Sequence, residues 1–236
     1  MKIEMTVQVD EMIQQLKELA SQDVADGQGH FGILGTNRLG VSIPNLRKMA
    51  KGVSDHDLAL QLWQSGYHDA RLLAGMVDIP EKVSREQMEA WVQDFDSWDL
   101  CDQVCSNLFD RTPFAVECAL DWMECEAEYV RRAGFVMVAA LAVHRKTMPD
   151  TEFLQFFPNM KRFAVDDRNF VRKAVNWALR QVGKSRPNLR EKAIETAREI
   201  GQMNSATARW IAADALRELE RPLKNMNGKQ TTAHGS

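Results

Sequence analysis

Four stretches of this chain repeat one scheme, a charged residue, a small residue and an apolar stripe at helical spacing. They are HDARLLAGMV at 68–77, YVRRAGFVMV at 129–138, FVRKAVNWAL at 170–179 and TARWIAADAL at 207–216. Arg131 and Arg172 stand 41 residues apart, and Arg172 and Arg209 stand 37 apart. A helix with one apolar stripe must bury it against another element. A period of about 40 residues holds two helices per unit, and neither can bury its stripe alone, so consecutive units have to stack.

That is the spacing of HEAT or armadillo-type repeats. The expected fold is all-α, a curved α-solenoid of HEAT-like helix-pair repeats in which one helix of each pair lines a concave surface. Helix signals recur along the chain. Val9, Met12, Ile13, Leu16 and Leu19 form an amphipathic pattern. Ser42 before Pro44 and Ser84 before Gln87 are start signals, and Thr112-Pro113 reads as another. Gly52, Gly66, Gly183 and Gly201 fall where helices should end. Residues 1–221 are expected to form a single repeat domain. Within it, Asp23 to Val41 holds five glycines with no helical period and reads as a loop. Residues 222–236 read as a polar, disordered tail.

Charge bears on the partner. The net charge is −3, but residues 1–130 carry 10 basic and 23 acidic residues, while 131–236 carry 20 and 10. Such asymmetry hints at a face for a polyanion, although a dipolar surface with no partner would look the same. The four cysteines, Cys101, Cys105, Cys118 and Cys125, make no C-x-x-C pair. They read as small apolar core residues of a chain in a reducing compartment. The N-terminus lacks the apolar region of a signal peptide, and the longest apolar run, Ala133 to Val143, is too short to span a bilayer. The expectation is a cytoplasmic protein with no membrane contact. No Walker or G-x-G-x-x-G form occurs in the glycine-rich stretch, so no nucleotide cofactor is expected.

Three segments can carry chemistry. DFDSWDLCDQVC at 94–105 places Trp98 and Asp102 one turn apart if a helix begins near Ser97. An indole beside a carboxylate can bind a cation and stabilise developing positive charge. The alternative is an acidic helix start near a core tryptophan. Asp94, Asp96, Asp99 and Asp102 do not match a calcium loop and no histidine joins them, so no metal site is expected. In EYVRRAGFVMVAALAV at 128–143, Arg131 and Arg132 must point in different directions. In NFVRKAVNWALRQVGKSRPNLREK at 169–192, Trp177 follows Arg172 and Lys173, and Arg180, Lys184 and Arg186 come after it. Basic residues interleaved with an aromatic suit a nucleic-acid backbone, and Arg209 of the last repeat segment joins this set.

The segments GVSIPNLRKMAK, FDSWDLCDQ, YVRRAGFVM, FVRKAVNWALRQVGK and ARWIAADALREL, in this order and spacing, resemble the AlkD-like DNA alkylation repair family, bacterial DNA glycosylases built from HEAT-like repeats. The resemblance runs from about residue 40 to 220 and is looser before that. The family's W-x-x-x-D pattern matches Trp98 and Asp102, the latter as the catalytic carboxylate. Its aromatic-x-x-Arg motif matches Tyr129 to Arg132, with tyrosine in place of the family's tryptophan. Its later tryptophan after a Lys-Ala pair matches Trp177. The chain departs from the family in its glycine-rich N-terminal stretch and its acidic N-terminal half. The resemblance implies hydrolysis of the N-glycosidic bond of positively charged alkylated purines, such as N7-methylguanine and N3-methyladenine, in duplex DNA. The catalytic set would be Asp102, Trp98, Arg132 and Trp177. The DNA-binding set would be Arg131, Arg172, Lys173, Arg180, Lys184, Arg186 and Arg209, in a monomer that needs no cofactor. The other reading of the same residues is a non-catalytic helical-repeat scaffold for DNA or protein.

Overall fold

The computed structural model describes residues 7–33 and 37–221, so the 222–236 tail lies outside the described residues. In chain order the α-helices are α1 (Val7–Glu18), α2 (Gln22–His30), α3 (Ile43–Ala50), α4 (His56–Gln64), α5 (His68–Val77), α6 (Arg85–Gln93) and α7 (Trp98–Asn107). They continue as α8 (Ala115–Glu124), α9 (Glu128–His144), α10 (Asp150–Phe153), α11 (Phe157–Arg162), α12 (Asn169–Ser185), α13 (Arg190–Gly201) and α14 (Ala206–Leu219). Four short 3₁₀ turns join them, and no strand occurs among the described residues.

The helices pack in two rows. α3, α5, α7, α9, α12 and α14 each pack on the next, forming an inner row, while α4, α8 and α13 back α5, α9 and α14. The four repeat segments read from the sequence are inner-row helices: 68–77 is α5, and the others lie in α9, α12 and α14. Their apolar stripes join one hydrophobic cluster that runs from Val9 to Leu219. The most buried helix is α9, with every residue from Arg132 to Ala142 buried. It sits between α7 and α12 with α8 at its back. Gly134 makes this possible: a Cβ there would stand 2.6 Å from the Met123 backbone nitrogen and 2.8 Å from the Ala119 carbonyl. Only glycine lets α8 approach this closely. Behind the inner row, the Trp63 and Trp91 rings stack at 3.9 Å.

Three local expectations change. The glycine-rich stretch is not all loop: residues 22–30 form α2. Ser21 caps it by accepting from the Val24 amide, Gln22 bonds Asp26 and His30 bonds the Asp26 carbonyl. These local bonds hold a helix that buries no residue, which is why no apolar period marks it. Thr112-Pro113 does not open a helix by capping. The Thr112 hydroxyl donates backward to the Phe109 carbonyl, and α8 starts only at Ala115. Gly183 does not end α12 but lies inside it, because Leu219 and Ala193 pack where its side chain would be. Ser84 caps α6 as expected through the Gln87 amide, but the Gln87 side chain goes to Asp78 instead of back to the cap. Cys101, Cys105 and Cys118 are buried and Cys125 half-buried, all as free thiols. No helix among the described residues is long and apolar enough to cross a membrane.

Candidate active site

Three successive inner helices begin with an aromatic residue: Trp98 is the first residue of α7, Tyr129 the second of α9 and Phe170 the second of α12. Asp102 lies one turn after Trp98 and Arg132 one turn after Tyr129, so both charged side chains fall on the α7–α9 seam. There they form a bidentate pair. Arg132 Nε donates to Asp102 Oδ1 at 2.9 Å and Nη2 to Oδ2 at 2.8 Å. Nη1 donates to the Phe170 carbonyl at 2.7 Å, tying α12 to the same guanidinium. The Arg132 side chain is 6% exposed and that of Asp102 is 17% exposed. The carboxylate is therefore fixed from behind and reachable from one side.

Two opposing effects set its proton affinity. Burial pushes the Asp102 carboxyl above the ordinary range, while Arg132 pulls it down through charge and hydrogen bonding. The fork-to-fork contact requires the carboxylate form, because a protonated acid would offer a hydrogen to a donor. Arg132 is raised, its own burial outweighed by the charge of Asp102. Burial pushes the Tyr129 phenol up to about 12, so it stays neutral. Its ring meets Phe170 at 5.5 Å between centroids.

Residues 31–33 close one side of this group. The Trp98 indole N–H donates to the Phe31 carbonyl at 3.0 Å. Gly32 has a φ of +82° and lies so close to the Phe170 ring that a Cβ would stand 3.1 Å from it. A cavity of about 490 Å³ opens beside Trp98, walled by Phe31, Ile33, Val41, Ile43 and Pro44. Beneath it, Asp99 is buried and bonds His68 Nε2 at 2.9 Å. Burial disfavours the His68 imidazolium, but Asp99 outweighs it and raises the pKa above the usual value. Among the described residues, no group of three or more His, Cys, Asp or Glu side chains is placed to hold a metal ion.

The expected site residues separate into groups. Asp102 and Arg132 touch, Trp98 stands one turn before Asp102, and Trp177 lies on α12 seven residues beyond Phe170, half-buried against the core. Lys173 and Arg209 are exposed and have no ion pair among the described residues, and Arg172 stacks on Trp210 at 5.2 Å. Arg180 and Lys184 are exposed in part but each pairs with Glu218.

Two arginines are placed otherwise than expected. Arg131 is 11% exposed: it pairs with Asp166 at 2.8 Å and lies over the Phe163 ring at 4.5 Å. Arg186 is 7% exposed, with its guanidinium on Phe153 and its donors on the carbonyls of Arg145, Lys146 and Met148. It satisfies the chain just beyond the end of α9, so its donors are unavailable to a phosphate.

Sequence reasoning missed Phe170 and the Phe31 carbonyl. For Phe170 a signal existed, since Trp98, Tyr129 and Phe170 form a series with steps of 31 and 41 residues. A carbonyl carries no such signal.

Over most of its length the chain is similar to known proteins. The chain is 25% identical over 194 residues to the uncharacterized protein Lin0241 of Listeria innocua, covering 80% of this chain and 84% of that protein. It is 24% identical over 169 residues to the uncharacterized protein Lmo0209 of Listeria monocytogenes, covering 70% and 73%. The fold matches a solved structure described as "a new family of proteins related to the HEAT-like repeat DNA glycosylases with affinity for branched DNA structures". The TM-score is 0.76 at 22% identity, over 89% of this chain and 95% of that one. The HEAT-like solenoid expected from the repeat spacing is thus the fold observed. The family model described as "DNA alkylation repair enzyme" matches residues 12–219, and the chain belongs to that family.

Proposed function

We propose that this chain is a DNA glycosylase that hydrolyses the N-glycosidic bond of positively charged alkylated purines, N7-methylguanine and N3-methyladenine, in duplex DNA. The observation that carries the proposal is the recessed Asp102 carboxylate, held by Arg132 on both oxygens and left open on one side. A carboxylate has about four lone-pair sites, and Arg132 occupies two, so the others are free to hold a water.

An alkylated purine is already cationic and leaves as a neutral base, so no general acid is needed. The barrier lies in the oxocarbenium ion left on the sugar. Asp102 would stabilise that cation and orient the water whose oxygen bonds to C1′ as the C1′–N bond breaks. The bond's electron pair goes to the purine, and the proton of the water passes through Asp102 to solvent. Trp98 and Trp177 would pack against the sugar and the cationic base. Arg172, Lys173 and Arg209 would meet phosphates, since no carboxylate neutralises them among the described residues.

A second reading, a non-catalytic DNA-binding repeat protein, is favoured by one observation: the Trp98 indole is bonded to Phe31 and residues 31–33 lie over the site. The affinity for branched DNA in the description of the structural neighbour supports DNA as the partner under either reading.

Release of N7-methylguanine and N3-methyladenine from methylated duplex DNA tests the proposal. The wild type is expected to release both, while Asp102→Asn and Trp177→Ala lose most release and keep duplex binding. Duplex binding without release by the wild type would leave the second reading.

A further inference from the structure

One exposed group on the last inner helices plays no part in that reaction. Trp210 on α14 is 40% exposed, and no other tryptophan among the described residues is exposed. An indole left in water forgoes a large apolar burial, so its exposure calls for a reason. The rest of α14 is well packed, with Ala208, Ile211, Ala212, Ala215 and Leu219 buried. The row Trp210, Asp214, Glu218 faces α12 instead: Asp214 accepts from Asn176 at 2.7 Å and Glu218 from Arg180 at 2.7 Å. Trp210 heads this row beside Arg172, whose guanidinium stands 5.2 Å over the ring.

The charges in this row are unevenly matched. One and two turns beyond Trp210, Asp214 and Glu218 pair with Arg180, Lys184 and Arg217. Around Trp210 there is no such pairing among the described residues. Arg172 bonds only the Asn169 side-chain oxygen, at 3.2 Å, and it, Lys173 and Arg209 have no carboxylate partner among the described residues. Arg172, the cation over the ring, is thus unneutralised, as are Lys173 next to it on α12 and Arg209 next to Trp210 on α14. A part-exposed indole with an unneutralised cation on it fits an anionic chain that carries flat groups. In an intact duplex the faces of the bases cover one another, so an indole can stack only on a nucleotide that is unpaired.

We propose that Trp210, with Arg172, Lys173 and Arg209, is a stacking platform for an unpaired nucleotide next to a duplex held on the inner row. The platform adjoins the candidate site through α12. Lys173 lies one turn before Trp177, and Arg172 lies two residues after Phe170, whose carbonyl holds Arg132. The inference rests on the DNA-binding part of the proposed function and not on the glycosylase chemistry.

The test compares an intact duplex with the same duplex bearing a short single-stranded flap that contains 2-aminopurine, whose fluorescence is quenched by stacking. The wild type is expected to bind the flap DNA more tightly and to quench the probe. Trp210→Ala is expected to lose about tenfold in affinity for the flap DNA and less than about twofold for the duplex, with the quench abolished. Trp210→Phe should keep most of both, and circular dichroism checks that each variant is folded. Equal losses on the two DNAs would overturn the platform and leave Trp210 as a support for Arg172. A wild type that binds duplex without flap preference would overturn it while leaving the glycosylase reading intact. Flap preference without base release would do the reverse. Binding to neither DNA would overturn both.

Discussion

Replacing Arg132 with methionine tests the electrostatic logic of the site most directly. Methionine keeps the apolar stem packed but removes the guanidinium, leaving the Asp102 carboxylate recessed and unpaired and the Phe170 carbonyl without its donor. Breaking a buried pair from one side costs about 3–5 kcal/mol. The Asp102 side chain keeps 17% exposure, so some water reaches it and the cost falls near the lower end, about 3 kcal/mol at neutral pH. The pH dependence gives the reasoning a second check. In the wild type, burial raises the Asp102 pKa and Arg132 opposes it. Without Arg132, burial and the nearby charge of Asp99 remain, and both raise it, so the folded pKa rises further above the unfolded value of about 3.9. The native state of the variant then binds this proton more tightly than the unfolded chain. The destabilisation is full above the folded pKa and relieved as pH falls through it. Urea unfolding of variant and wild type at about pH 7.5 and about pH 5 should therefore show a gap that narrows on acidification. Adding Asp102→Leu to the variant should recover most of the loss, because the unpaired carboxylate is gone. A gap that is the same at both pH values, or a double variant as unstable as the sum of the singles, would refute this account.

Other substitutions separate structural cations from surface ones. Arg186→Met is expected to cost about 2–4 kcal/mol, because several buried carbonyls lose their donor, without changing the salt dependence of DNA binding by the folded protein. Lys173→Ala should leave urea stability within about 0.5 kcal/mol but reduce the slope of log affinity against log salt by about 1. Asp166, held at about 2 by its bonds to Arg168 and Arg131 against the cost of burial, contributes stability that is present above the unfolded value and lost as pH falls through the folded one. Discounted for solvent screening this is about 1–2 kcal/mol, and Asp166→Asn should flatten the acid limb of a stability–pH curve below about pH 4. Gly134→Ala adds a better helix former, yet is expected to destabilise by about 1–3 kcal/mol in thermal unfolding, because the α8 backbone stands 2.6 Å from the new methyl.

How far the sequence disclosed this architecture depended on which groups carry side-chain signals. The four repeat segments located α5, α9, α12 and α14 because each needs a small residue and an apolar stripe to pack in the inner row. The remaining central member, α7, lacks the scheme. Its first two turns hold Trp98, Asp99 and Asp102, polar and aromatic residues where the others have small ones. The site thus interrupts the repeat that would have revealed its helix. Helix α2 was hidden because capping and local bonds hold it while it buries nothing. The pairing of Asp102 with Arg132 was approachable through the resemblance, since both positions matched family motifs. The third bond to Arg132 comes from the Phe170 carbonyl, and no pattern of residue types encodes a carbonyl's direction. Arg186 shows the same limit in reverse. Within the basic run 180–192 it looks like a solvated cation, and only the carbonyls that converge beyond α9 show that it is internal.

The charge asymmetry can now be traced to places in the fold. In the acidic half, Asp69, Asp78, Asp99 and Asp110 are buried. Asp69 accepts from the amides of Leu39 and Val41, and the others bind His56, His68 and His144. These carboxylates fasten the chain at helix ends and project little field into solvent. Part of the exposed acid lies on α8, where Glu117 and Asp121 pair with Arg85 of α6, and Glu124 pairs with Arg162. Helix α8 stands behind α9, so a helix diameter of about 10 Å separates its acidic face from the inner row. That distance exceeds the screening length of about 8 Å at physiological salt. A polyanion at the inner row would then feel Arg172, Lys173 and Arg209 little diminished by the acid of α8. As salt is lowered the screening length grows past the thickness of a helix, and the outer carboxylates begin to oppose the inner cations. The gain in affinity at low salt should therefore fall short of what the three cations alone would give, and neutralising Glu117 and Asp121 should restore it.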